Sequence, residues 1–154
     1  KKLLGEVLNS ENFQNLGSYD KFLAYYMDGQ LQNTYRDYNQ AIFSLGNAIE
    51  IYNKSTHVFN NFGSPFIIRF PFYQKAVAHH HKGENKKAIQ CMVKYIKFTQ
   101  KSGNKVSSKT YKNLAVSFYL DNNLKGCKAV LPKLTPNDRK DLYKLFDDDF
   151  FLQK

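Results

Sequence analysis

The sequence predicts an all-α domain of antiparallel helical hairpins, closed at its C-terminal end by a capping helix. Three observations carry that expectation. Between Pro71 and Gln100 apolar residues recur at spacings of one, three and four, first over Phe72, Tyr73, Ala76, Val77 and His80, then over Ala88, Ile89, Met92, Val93 and Ile96. A bend at Gly83 separates the two stripes, and neither helix can bury its stripe alone, so the pair should pack as a hairpin. The same helix–turn–helix pattern comes before and after this stretch, giving hairpins over about 18–54, 71–100 and 106–132 in a single domain of 1–154.

Taken in order, KKLLGEVLN supplies one or two helical turns and SENFQNLGS a polar loop. Ser18 is expected as the N-cap of the first long helix, with Asp20 placing negative charge at the positive end of the helix dipole. Phe22, Leu23, Tyr26, Met27 and Leu31 form its packing face. Gly29 falls inside this helix, where glycine costs ~1 kcal/mol. The second helix opens at Asp37-Tyr38 and buries Ala41, Leu45 and Ala48, flanked by Ile42, Ile49 and Tyr52. STHVFNNFGSPFIIRF then breaks helical period at Asn60-Asn61, Gly63 and Pro65. Phe66, Ile67, Ile68 and Phe70 are too apolar for a free loop and should fold back on the core as a short turn or extended piece.

After the central hairpin, KSGNKVSS punctuates the chain. Tyr111, Leu114, Ala115 and Phe118 face inward from the next helix, and the turn falls at Asp121–Asn123. Leu124, Cys127, Val130 and Leu131 face inward from its partner, which Pro132 ends. Thr135, Pro136 and Asp138 then form a strong helix start. The capping helix is expected over about 136–147, packed through Leu142, Leu145 and Phe146, and stopped by the acidic run Asp147–Asp149.

Hydrophobic residues at 42% and charged residues at 23% exclude a wholly disordered chain. The aromatic share of 16% comes from Phe and Tyr alone, rings that wedge helices together. Net charge is +10, unevenly placed. Residues 71–134 hold thirteen lysines against two acids, Glu84 and Asp121, while residues 1–70 balance at six against six. Such a field attracts an anionic partner, or serves only as a solvated face that keeps the protein soluble. Cys91 and Cys127, 36 residues apart with no CxxC, make neither a disulfide framework nor a zinc site. No apolar run reaches the ~18 residues that cross a bilayer. The chain starts at Lys1 without a Met, so an upstream segment is expected to have been removed. The compartment stays open: cytoplasmic by default, with an exported or lipid-anchored form as the alternative.

The turn KGENKKAI resembles the G-[DE]-x-x-[KE]-A-[IL] turn of the tetratricopeptide repeat (TPR), with Gly83 at the bend and Ala88 where the second helix meets its neighbours. RDYNQAIFSLGNAIEIYNK resembles the second helix of such a repeat, Ala41 matching Ala88, and Gly126 takes that place in the third hairpin. The intervals of 47 residues (41 to 88) and 38 residues (88 to 126) depart from the family's period of about 34, and its large aromatic–Leu–Gly opening is missing. An unrelated helical bundle is the other reading. The resemblance, over roughly residues 18–134, implies a short right-handed superhelix whose first helices line a concave groove. It places Tyr26, Gln30 and Asn33, then Tyr73, Val77, His80 and His81, then Tyr111, Ala115, Phe118 and Tyr119 on that groove. It also implies a non-enzymatic protein–protein interaction module, an adaptor or assembly scaffold that grips a peptide segment of a partner. The alternative is that these rings are packing residues and the groove is filled by Phe66–Phe70 or the C-terminal tail.

Motifs for catalysis are missing: there is no GxSxG, GxGxxG, phosphate loop, HExxH or CxxC, and no cofactor is implied. His79-His80-His81 invites a metal reading, but consecutive helical residues splay ~100° apart and cannot converge on one ion unaided. Lys86, Lys87, Lys94, Lys97 and Lys101 form a basic patch on one face of the central second helix. Lysines without any arginine in 71–134 suit generic phosphate attraction better than base reading, so non-specific nucleic-acid association through 75–133 is the alternative function. An acidic protein partner is the favoured one.

Overall fold

The computed structural model describes residues 6, 8 and 10–146 and is all-α, with no strand among them. Its helices are α1 (Glu11–Gln14), α2 (Ser18–Thr34), α3 (Tyr38–Lys54), α4 (Thr56–Asn61), α5 (Arg69–His81), α6 (Asn85–Lys101), α7 (Ser108–Leu120), α8 (Leu124–Val130) and α9 (Pro136–Leu145), with a 3₁₀ turn at Leu131–Lys133. Three sequence-adjacent pairs fold on themselves: α2 against α3, α5 against α6, α7 against α8. Each second helix then packs on the next first helix, α3 on α5 and α6 on α7, and α2 also meets α5. Hairpins therefore stack in one direction, and α9 closes the stack against α7.

The three hairpin turns share one backbone device. Arg36, Gly83 and Asn122 sit at φ of 61°, 71° and 55°, directly after their helices. In each turn that residue's N–H returns to the carbonyl three residues back, and the next N–H to the carbonyl five back: Asp37 to Gln32 at 2.9 Å, Glu84 to His79 at 2.9 Å, Asn123 to Phe118 at 2.9 Å. These paired bonds satisfy carbonyls that a helix end leaves free. Asp37 and Asn123 then cap the following helices, accepting from the Gln40 and Gly126 N–H groups.

Counting five residues on from each turn places Ala41, Ala88 and Cys127 at the same point of the second helix, each with 2% exposure or less. The third equivalent is thus Cys127, not Gly126, which lies one residue earlier. Gly126 has its own reason to be small: a β-carbon there would lie 2.6 Å from the Phe118 ring. Gly29 is constrained likewise, since a β-carbon would meet Leu45 Cγ at 2.4 Å. Close crossing of α2 and α3 also buries Asp28, whose carboxylate accepts from Ser44 Oγ and from Gln32 Nε2, the latter at 2.8 Å.

The two larger of three core clusters meet at the central hairpin, the third being Ala41, Leu45 and Ala78. Phe22, Ala48, Tyr52, Phe59, Ile68 and Phe72 fill one; Ala76, Met92, Leu114, Ala115, Cys127, Val130, Leu134, Leu142 and Phe146 fill the other. Cys91 and Tyr95 of α6 pack against both.

Several local expectations change. Ser18 is the first helical residue rather than the cap; Gly17 holds the cap position, and the Ser18 hydroxyl accepts from Ser55 Oγ at 3.0 Å. The stretch after Ser10 is not a plain loop, because Ser10 caps α1 and Phe13 is buried. Residues 56–61 form a helix inside the presumed loop, driven by Phe59, which is fully buried against Tyr52 and Phe22. The chain then turns through Gly63 to Ile68 and enters α5 two residues before Pro71, a proline tolerated in the first turn. Met27, Val93 and Leu145 lie outside their expected packing faces, at 60%, 47% and 64% exposure. Thr135 caps α9 as expected, accepting from the Asp138 N–H at 3.2 Å. The segment 1–5 and the run Asp147–Asp149 lie outside the described residues.

Positive φ costs less for glycine than for any residue with a β-carbon. Asn122→Gly should therefore stabilise the fold by a few tenths of a kcal/mol, and Gly83→Ala should destabilise it by about 1 kcal/mol. Ala88→Asp should cost about 3 kcal/mol or more, because it buries an unpaired carboxylate at a helix crossing. Urea denaturation followed by circular dichroism measures all three.

Candidate functional site

A cleft of about 240 Å³ opens between α5 and α7, with α6 as its floor. Helical spacing puts Ala76, Val77, His80 and His81 on one side of α5, and Asn113, Val116 and Ser117 on the facing side of α7. Ala88 and Met92 form the base. The floor is apolar and the rim carries hydrogen-bonding groups. His80 Nδ1 is buried and has no hydrogen-bond partner.

The three histidines diverge. His79 points away from this cleft, buried at 5% exposure, with Nδ1 2.6 Å from Glu84 Oε2. His80 lines the cleft, and exposed His81 stacks on Tyr38 with centroids 4.9 Å apart. Among the described residues no group of three His, Cys, Asp or Glu side chains is arranged to hold a metal ion.

Of the residues the resemblance assigned to the groove, Val77 and His80 come together here, with His81 beside them. The others are engaged in packing. Tyr26 lies between Phe22 and Phe70, and burial pushes its hydroxyl pKa up despite a hydrogen bond with Gln30. Asn33 donates from Nδ2 to the Gln74 carbonyl at 3.0 Å, tying α2 to α5. Tyr73 packs on Tyr95, Phe118 on Gly126, and Tyr119 on Phe146 at 4.0 Å between centroids. Tyr111 is half-buried against the C-terminal core, and Ala115 is wholly inside it. Asn113, Val116 and Ser117 are not among the residues the resemblance places on the groove. They form their own i, i+3, i+4 stripe beside the Tyr111–Leu114–Phe118 stripe, and that adjacent stripe is the signal that marks them.

The basic patch is as exposed as its spacing implied: Lys86, Lys87, Lys94, Lys97 and Lys101 all face solvent along α6. Lys94 Nζ lies 5.1 Å from the centre of the Phe72 ring. Glu84 collects the nearest cations, Lys82 at 3.0 Å and Lys87 at 3.4 Å. Hydrogen bonds from Lys82 and then His79 hold its carboxyl down to about 2. Burial pushes the Cys127 thiol up to about 11 and raises Cys91 as well, so neither is poised as a thiolate nucleophile. No described helix is long and apolar enough to cross a membrane. Comparison with protein-family models, with curated proteins and with solved structures returns no match.

Burial depresses both His79 and His80, more than the Glu84 carboxylate offsets at His79. The unfolded chain therefore binds protons that the folded chain refuses as pH falls below the ordinary histidine value of 6.5. Stability should be full above that value and decline below it, and Glu84 should add a second loss between 4.5 and about 2. Denaturation midpoints measured from pH 7.5 to 5 should fall, and a His79→Asn, His80→Asn variant should fall less steeply. Parallel slopes would assign the acid loss to other groups.

Proposed function

We propose that this chain is a non-enzymatic interaction module of TPR-like hairpins, an adaptor or scaffold that takes a peptide segment of an acidic partner protein in the α5/α7 cleft. The observation that carries the reading is the cleft's composition: an apolar floor, with Asn113, Ser117 and His80 bringing polar side chains to its lining. That mixture suits a peptide, whose apolar side chains enter while its backbone polar groups still find partners. The recurring turns at Arg36, Gly83 and Asn122, each followed by a buried small residue, support the repeat character. The lysine excess over 71–134 supports an acidic partner, since it raises the encounter rate of anionic chains.

Non-specific nucleic-acid association is the second reading, supported by the exposed lysine row on α6. Salt separates the two, because binding through several phosphate contacts collapses between low and moderate ionic strength.

Peptides selected from a displayed random library at physiological salt should carry acidic residues flanking apolar ones. Val116→Asp should weaken their binding by at least about tenfold, equivalent to ~1.4 kcal/mol. Lys97→Gln should slow association and leave dissociation nearly unchanged. If Val116→Asp folds normally and binds the peptides undiminished, the cleft is not the site. DNA or RNA binding that persists at physiological salt would favour the second reading.

A further inference from the structure

The central hairpin has a second cleft on its other flank, where it meets the preceding hairpin. About 350 Å³ in volume, it is lined by Ile49 of α3, by Phe72, Lys75 and His79 of α5, and by Lys87, Gln90, Cys91 and Lys94 of α6. Two helices thus line one space with three lysine side chains, Lys94 Nζ lying 5.1 Å from the centre of the Phe72 ring. Lys75 and His79 are one turn apart on α5, and Lys87, Cys91 and Lys94 occupy one face of α6. Lys75 is half-buried, and its Nζ reaches α3 beside Gly46, 3.4 Å from where a β-carbon there would stand. Neither Lys75 nor Lys94 has an acidic partner among the described ion pairs. Glu84, at the His79 end, is already shared among Lys82, Lys87 and His79.

Lys75 and Lys94 bring positive charge to the cleft without an acidic partner, while Lys87 shares Glu84 at 3.4 Å, and a bound dianion would turn the repulsion between the first two into attraction. Phe72, Ile49 and Cys91 back the site with apolar surface, which strengthens charge interactions relative to open solvent. Gln90 adds an amide donor.

We propose that the α3/α5/α6 cleft is an anion site for a multiply charged phosphoryl group, held by Lys75, Lys94 and Lys87 with Gln90. It faces away from the peptide cleft and does not depend on that reading. The phosphoryl group belongs either to a soluble phosphorylated compound or to a lipid headgroup, sources that share this chemistry.

Isothermal titration with inorganic pyrophosphate should give saturable binding at one site per chain. Lys75→Gln and Lys94→Gln should each weaken it about tenfold, as loss of a charge-assisted hydrogen bond does. Lys97→Gln and Lys101→Gln, on the same helix but outside the cleft, should change it less than about twofold. Vesicles carrying phosphoinositide headgroups, compared with phosphatidylcholine alone, form the second arm. Tighter binding to them than to pyrophosphate, with the same dependence on Lys75, assigns the lipid source; no gain assigns a soluble one. Equal losses from all four variants, or binding that never saturates, would overturn the proposal in favour of a diffuse field. Val116→Asp should leave pyrophosphate binding intact, so failure here is distinguishable from failure of the peptide reading.

Discussion

The architecture depends on one backbone constraint, a single residue held at positive φ at the end of each first helix. Arg36, Gly83 and Asn122 each reverse the chain within two residues, while the returning N–H groups satisfy the helix-end carbonyls. A reversal this tight forces the two helices close together. Small residues must then stand where they cross, and Ala41, Ala88 and Cys127 stand there. Gly29 and Gly126 extend the same requirement to points where even a methyl group would collide with Leu45 or Phe118.

From that constraint follows the importance of the central hairpin. Its helices contribute to both halves of the core, and Cys91 and Tyr95 touch each half. A pair that packs on both sides cannot be flush with both neighbours, and the clefts fall on either flank: one toward α7, apolar with polar rims, the other toward α3, lined by lysines. One short stretch of chain therefore positions both candidate binding surfaces.

The fold was legible where periodicity and turn chemistry agree. Gly83, Asp37 and Thr135 announced a bend, a helix start and a cap, and the hairpins follow them. Legibility failed where tertiary packing overrode local signals. THVFNN contains two asparagines before a glycine, yet it is helical because Phe59 must be buried between Tyr52 and Phe22. Asn122 at positive φ hid the true repeat register by one residue, so Gly126 was matched in place of Cys127. At the candidate site the resemblance places Val77 and His80 on a groove, and both line the α5/α7 cleft. Whether Tyr73, Phe118 and Tyr119 line a groove or pack inward depends on partners distant in sequence, Tyr95, Gly126 and Phe146, and no helical period encodes those. Lys75 lies on α5, and only the hairpin brings it to the cleft that Lys87 and Lys94 line.

The account gives the central hairpin two jobs, and the peptide cleft is the central claim. The most direct measurement is an amide chemical-shift titration of the isotope-labelled protein with a selected acidic peptide at physiological salt. The account predicts shifts concentrated at Val77, His80, Met92, Asn113, Val116 and Ser117, the residues that share the α5/α7 cleft. Shifts confined to Lys86, Lys97 and Lys101, with the cleft silent, would contradict it.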